Sequence, residues 1–297
     1  MRHPAKIALV GGRGMLAQAV LKAAPAAYQV HVLSRPEIDI TDAGLVFRVL
    51  RDLRPDIVIN CASYTRVDEC EAQAETAMAV NGEGPKNLAL AAGETGSTLV
   101  HVSSDYVFSG EKDIPYRESD LPGPLSVYGR SKLAGEEGVF NSGLEKYFIV
   151  RTGWLYGPGG RNFVETMVRL GKAREELRVV ADQQGTPTAT RDLARAIFNL
   201  LELPADGDNA SYGTYHFSNE GTCSWHGFAK TILEEARAAG EPIIARRVVP
   251  IDSAEYALPA KRPQYSVLST DKYRKATGAP VPHWRESLAF YFRKERK

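Results

Sequence analysis

The sequence predicts an α/β chain: a doubly wound parallel sheet carrying a smaller α/β lobe that binds substrate. Three observations predict it. Short apolar runs alternate with longer amphipathic segments through the first half; the first such run ends in a glycine turn that opens an Ala-rich helix; and the βα period loosens after Ser104. Residues 6–10 read as the first strand, 15–24 as a helix, 29–33 as the second strand and 43–53 as a helix. A strand at 56–60 follows, then a long helical stretch over 72–95 broken near 82–85, then a strand at 98–103. Right-handed crossovers wind such a series into one sheet covered on both faces, the Rossmann type of architecture.

Residues 110–124 are rich in Pro, Gly and charge, which suits a surface loop near the carboxyl edge of the sheet. A helix resumes near Tyr128, and 148–152 reads as a strand. Beyond it come irregular stretches, the run 181–190, helices near 192–201 and 225–239, and a strand candidate at 243–250. Residues 1–150 are therefore expected to form a dinucleotide-binding unit, to which 188–220 returns, and 151–297 mainly the substrate lobe.

A length of 297 residues supports a sizeable core, and 43% hydrophobic against 25% charged residues is an ordinary globular balance. With 37 basic and 36 acidic side chains the formal charge is +1, which gives no field for nucleic acid or an anionic membrane, so any phosphate must be held locally. Three cysteines, Cys61, Cys70 and Cys223, have neither metal-ligand spacing nor the look of a disulfide framework. No run has the ~20 apolar residues of a membrane span and no signal-like core opens the chain. A cytoplasmic protein beginning near Met1 is expected.

The first strand runs into Gly11-Gly12-Arg13-Gly14-Met15-Leu16-Ala17. Gly11 frees the turn from side-chain clash, a second glycine admits a pyrophosphate to the main chain, and Ala17 lets helix and strand pack closely. The helix N-terminus, preceded by Gly14, offers unpaired N–H groups to the anion. The alternative is a glycine turn that serves packing alone. No acidic residue ends the second strand, where it would grip the ribose 2′-hydroxyl of NAD; Ser34 and Arg35 stand there. They suit a 2′-phosphate and lean toward NADPH over NADH, the alternative being an exposed Arg in a polar turn. Asp39 and Ile40 either lie against the adenine or open the next turn.

Two segments carry chemistry: LVHVSSDYVF, ending its strand at Ser103-Ser104, and SVYGRSKLAGE, where Tyr128 and Lys132 are four apart. That interval puts both side chains on one helix face. An ammonium beside a phenol favours the phenolate and lowers a pKa that is ordinarily about 10, so Tyr128 would exchange a proton nearer neutrality. Lys132 would also hold the nicotinamide ribose, and Ser104 would give a second hydroxyl to the reacting oxygen.

These residues resemble the extended short-chain dehydrogenase/reductase family and, within it, the dTDP-4-dehydrorhamnose reductases. The likeness runs through GGRGMLA, RPDIVINCASYTRVDECE, VNGEGPKNLA, HVSSDYVFSGEKDIPYRESD, VYGRSKLAGE, RTGWLYGPGGRNF, DQQGTPTATRDLA and ARRVVPIDSAEYALPAKRPQYSVLST. It implies reduction of the 4-keto group of dTDP-4-dehydro-6-deoxy-L-mannose to dTDP-L-rhamnose. By the same resemblance Gly14, Met15 and Leu16 meet the cofactor diphosphate, Asp39 and Ile40 the adenosine, and Ala62, Ser63 and Tyr64 the cofactor beyond the third strand. Ser104 and Asp105 contact the sugar, Tyr128 donates the proton with Lys132 as its partner, Trp154 offers the deoxy carbon an apolar face, and Val67 lines the pocket.

Some members bind magnesium at a dimer interface through carboxylates from two segments. Met15 and Thr190-Arg191 occupy those segments here, so neither the metal nor a magnesium-bridged dimer is expected, while a homodimer of another kind stays open. Rival readings are a reductase or epimerase of another nucleotide-linked deoxysugar, and a non-catalytic NADP-binding subunit like the regulatory subunit of methionine adenosyltransferase.

Overall fold

Buried on both sides, β1 (Ala5–Val10) is an unbroken apolar run because Ile7 and Leu9 face one helical layer while Ala8 and Val10 face the other. This computed structural model describes residues 4–203 and 211–296; Met1, the 204–210 part of the segment expected to rejoin the first unit, and residue 297 lie outside the described residues. After β1 come α1 (Met15–Ala23), β2 (Tyr28–Leu33), α2 (Ala43–Leu53) and β3 (Ile57–Asn60). The Asp42 carboxylate accepts a 2.9 Å bond from the Leu45 N–H and so caps α2.

The helical stretch expected over 72–95 with a break near 82–85 starts earlier and is built in more pieces: α3 (Val67–Ala72), α4 (Ala74–Ala77), a π-helical segment (Met78–Glu83) and α5 (Gly84–Thr95). Pro85 lies in the first turn of α5, where its missing N–H is not needed, and the expected break is carried by the π segment before it. Then follow β4 (Thr98–Ser104), a 3₁₀ turn (Asp105–Val107), α6 (Val127–Phe140), β5 (Tyr147–Thr152) and β6 (Leu155–Tyr156). The remaining elements are α7 (Phe163–Ala173), β7 (Glu176–Val180), β8 (Gln184–Gly185), β9 (Thr188–Ala189), α8 (Thr190–Leu201) and β10 (Gly213–His216). They end with β11 (Cys223–Ser224), α9 (Trp225–Ala238), β12 (Arg247–Ile251), α10 (Asp271–Thr277), α11 (Trp284–Phe290) and a π-helical segment (Tyr291–Glu295).

Six strands form one sheet in the order β10-β5-β4-β3-β1-β2, every pair parallel. Leu16 and Val20 of α1 with Leu193, Ile197 and Leu200 of α8 cover one face; Val46 and Leu50 of α2 with Leu88 and Ala92 of α5 cover the other. A separate core joins Val164 and Met167 of α7, Leu177 and Val179 of β7, Phe228 and Ile232 of α9, and Trp284 and Leu288 of α11. The strand expected over 243–250 is shorter and later, since only Arg247–Ile251 pairs, in parallel with β7. Strand order reverses between β1 and β3, and in open parallel sheets the crevice beyond the strand ends at such a point receives ligands.

Candidate active site

At that crevice the turns after β1 and β3 touch. Gly11 has φ +82°, and a Cβ there would approach the Ala62 nitrogen to 2.5 Å, so only glycine fits. Gly14 caps α1 without a side-chain bond, no acidic residue occupies the first turn of α1, and Met15 and Leu16 begin it. This open helix N-terminus beside a backbone cradle fits a dinucleotide's diphosphate. At the end of β2, the Ser34 N–H and hydroxyl both donate to Glu37, at 3.0 and 3.1 Å. A carboxylate therefore does stand at this strand end, folded back from the turn, and a reading confined to the strand's last residues missed it. Its pKa is lowered by those bonds and by Arg13. Arg35 is exposed and 4.0 Å from Asp39, whose carboxylate accepts bonds from Thr41 at 2.8 and 3.0 Å; Ile40 is buried in the core under α5. Asp39 thus opens the next turn, with its carboxylate turned to Thr41.

Ala62, Ser63 and Tyr64 leave β3 as a loop held by Asn81 of the π segment. Asn81 is buried; its carbonyl accepts from the Ser63 hydroxyl at 2.9 Å and the Tyr64 N–H at 2.8 Å, and its amide donates to the Tyr64 carbonyl and the Ser131 hydroxyl, both at 3.0 Å. One side chain ties the loop to the helix residue preceding Lys132. The VNGEGPKNLA segment carried the only trace of it: an asparagine is a poor choice inside a helical stretch.

Ser104 ends β4, its hydroxyl accepting from the Tyr106 N–H at 3.1 Å and donating to Asp105 at 3.0 Å. Tyr128, in the first turn of α6 behind the Ser126 cap, lies beside Ser104. Lys132 is 1% exposed and donates to the Val102 carbonyl at 2.7 Å. Burial pushes the Tyr128 phenol above its ordinary pKa, and this corrects the expectation that the ammonium lowers it: the amine bonds the strand backbone, and desolvation governs the phenol. Burial also brings Lys132 down to about 8, against the opposing pull of Glu136 and Cys61. Glu136 is held by Arg151 at 2.6 and 2.9 Å and by the Ser103 hydroxyl.

Asp105 is buried, and desolvation raises its pKa to about 6 despite bonds from Ser266 and Ser104. Gly153 lies against this carboxyl, and Trp154 follows at φ +50°. Val67 opens α3 beside Asp68, which pairs with Arg262 through bonds of 2.8 and 3.1 Å; Tyr106 lies nearby, and its ring meets Tyr128 edge-on at 5.7 Å. A cavity of about 1120 Å³ opens at Tyr106 and Arg262 and extends along α7, β7 and the 253–264 loop, past Arg174, Arg178 and Lys261. Arg262 and Ser266 belong to the ARRVVPIDSAEYALPAKRPQYSVLST stretch, part of the family likeness but assigned to no contact in the sequence. Among the described residues no group of three or more His, Cys, Asp or Glu is arranged to hold a metal. Met15 contacts Asn162 and Gly160, and Arg191 lies over the Phe290 ring.

Residues 5–296 match the family described as the RmlD substrate binding domain. The chain is similar to a dTDP-4-dehydrorhamnose reductase of Burkholderia thailandensis, 38% identical over 97% of this chain and 98% of the relative. Among solved structures it is similar to a dTDP-4-dehydrorhamnose reductase of Clostridium acetobutylicum, 42% identical with TM-score 0.89 over 97% and 98% of the two chains. It is also similar to one from Bacillus anthracis in complex with NADP, 39% identical with TM-score 0.91 over 98% and 99%.

Proposed function

Since the chain belongs to the dTDP-4-dehydrorhamnose reductase family, we propose that it reduces the 4-keto group of dTDP-4-dehydro-6-deoxy-L-mannose to dTDP-L-rhamnose with NADPH or NADH. The observation that carries this reading is that Tyr128 and Ser104 stand together at the carboxyl end of β4, with a buried Lys132 one helical turn beyond Tyr128. Gly11, Gly14, Met15 and Leu16 would hold the cofactor's diphosphate, Asp39 and Ile40 would border its adenosine, and Ala62, Ser63 and Tyr64 would line its path toward Lys132. When bound, the nicotinamide supplies the hydride.

The chain's own groups supply the proton and the positioning. As the keto oxygen gains negative charge, Tyr128, kept protonated by burial, donates its phenolic proton, and the Ser104 hydroxyl turns from Asp105 to the same oxygen. Lys132 would hold the nicotinamide ribose. Val67, Asp105 and Trp154 would border the sugar, and Arg174 and Lys261, on a cavity wall they share with Glu111, Glu176 and Glu255, would face a nucleotide diphosphate. No helix among the described residues is long and apolar enough to cross a membrane.

Mixing the enzyme with the ketosugar and NADPH tests the reading. Stoichiometric loss of reduced-nicotinamide absorbance with dTDP-L-rhamnose as product is expected. Unchanged absorbance with an isomerised sugar would reassign the chain to epimerisation, and no reaction with any ketosugar would favour a binding subunit.

A further inference from the structure

We propose that Glu71 is a positioning residue for Tyr128: from α3 it holds the N-terminal end of α6 and so sets where the phenol stands. The inference rests on the reductase reading and deepens it. Tyr128 is the second residue of α6, and the first, Val127, donates its N–H at 2.8 Å to the Glu71 carboxylate, 56 positions away in the chain. No carbonyl inside a helix can satisfy that N–H, and an acceptor with negative charge suits the positive end of the helix. Ser126 caps the same turn by accepting from the Gly129 N–H at 3.1 Å, but it adjoins α6 and moves with it. Glu71 belongs to another element, so its bond fixes the helix end against something outside the helix.

Two other contacts of α6 leave that task to Glu71. A Cβ on Gly129 would come within 2.3 Å of the Tyr106 carbonyl, so the two backbones already touch; touching stops α6 from advancing and does not stop it from retreating. The bond from Asn81 reaches α6 at Ser131, next to Lys132 and three residues beyond Tyr128. The support that Glu71 stands on is itself anchored, because Asp68 of α3 accepts from Arg262 at 2.8 and 3.1 Å and from the Ala260 N–H at 3.2 Å, on the cavity wall. One short helix thus carries Val67, proposed to border the sugar, Asp68 on the cavity wall and Glu71 on the start of α6. A general acid must stand within hydrogen-bond reach of the oxygen it protonates, and a small misplacement costs rate rather than ground-state binding. Loss of the Glu71 bond should therefore move Tyr128 while Asn81 keeps the Lys132 turn, and the cofactor with it, in place.

The test compares wild type, Glu71→Ala, Glu71→Gln and Val127→Pro by steady-state kinetics with the ketosugar and NADPH, and by hydrogen exchange over residues 126–131 of the NADP-loaded enzyme. Glu71→Ala should lower kcat about tenfold, with KM for the ketosugar and NADPH affinity within about twofold, and should speed exchange over 126–131. Glu71→Gln, whose amide oxygen still accepts the Val127 N–H, should restore kcat to within about threefold and the protection with it. Val127→Pro deletes the donor instead of the acceptor, at a first helical position that tolerates proline and behind an extended Ser126, and should show the same fall in kcat even if Glu71→Ala does not fold. A wild-type kcat in Glu71→Ala or in Val127→Pro, whatever the Tm, would overturn the proposal, as would a loss in Glu71→Gln equal to that in Glu71→Ala. A wild type that consumes no NADPH with any ketosugar sinks the reductase reading alone; exchange over 126–131 then decides the tie, and an unchanged rate in Glu71→Ala removes it.

Discussion

Replacing Asn81 by alanine should weaken both the fold and the proposed cofactor site, because this one buried amide makes four hydrogen bonds to two segments proposed to hold the cofactor. Each such bond contributes about 1 kcal/mol net, and each partner left buried and unpaired costs a similar amount or more. The Ser63 and Ser131 hydroxyls can turn elsewhere, whereas the Tyr64 N–H and carbonyl cannot. A loss of roughly 2–4 kcal/mol follows, which lowers Tm by roughly 5–10 °C in a chain of this size. With the loop untied from α6, NADPH affinity should fall about tenfold, while Asn81→Asp, which keeps two acceptors, should retain part of it. Thermal melts with and without NADPH, alongside a direct NADPH titration, read both quantities. An alanine variant with wild-type Tm and wild-type NADPH affinity would refute the assignment of Asn81 as the tie between these segments.

Tyr128→Phe should cut ketosugar turnover by roughly 100-fold or more with NADPH affinity little changed; full turnover near neutral pH would remove Tyr128 as the acid. Lys132 has its pKa lowered to about 8, so its positive charge is present below that pH and is lost above it. Under conditions where chemistry limits, kcat/KM should fall about tenfold for each further pH unit above it, and Lys132→Met should be slow throughout and lack that limb. Glu37→Gln removes a carboxylate from the end of β2, and the ratio of kcat/KM for NADPH over NADH should rise about threefold; an unchanged ratio would place Glu37 away from the 2′ position.

The sheet was legible because its strands are buried on both faces: IALV and IVIN have to be continuous apolar runs, and the helices between them must repeat with the period of one amphipathic face. Gly11 was legible for a similar reason, since a turn that brings β1 within touching distance of Ala62 admits no side chain. Asn81 was not, because a polar residue in a helical stretch reads as solvent-facing until a π segment turns it inward. Glu37 escaped because its partner is set by a fold-back of three residues rather than by its own place on a strand. The interval between Tyr128 and Lys132 correctly implied a shared helix face, but not that the amine would spend a bond on Val102.

That last difference changes how the chemistry is understood. If the ammonium acted chiefly by lowering the phenol's pKa, the resting site would hold much phenolate, a poor state for giving a proton to a ketone. Here burial moves the three central groups the same way, toward their neutral forms: Tyr128 and Asp105 upward, Lys132 downward. The same low dielectric strengthens any hydrogen bond to charge that appears during reaction. In the proposed reaction Tyr128 and Ser104 would therefore interact weakly with the neutral ketone and strongly with the charged oxygen, which is the differential binding that lowers a barrier. On this argument a substitution that admits water beside Ser104 should cost turnover even with every hydroxyl intact. Gly153→Ala, which drives a methyl into the Asp105 carboxyl, should do so by lowering kcat more than it raises KM.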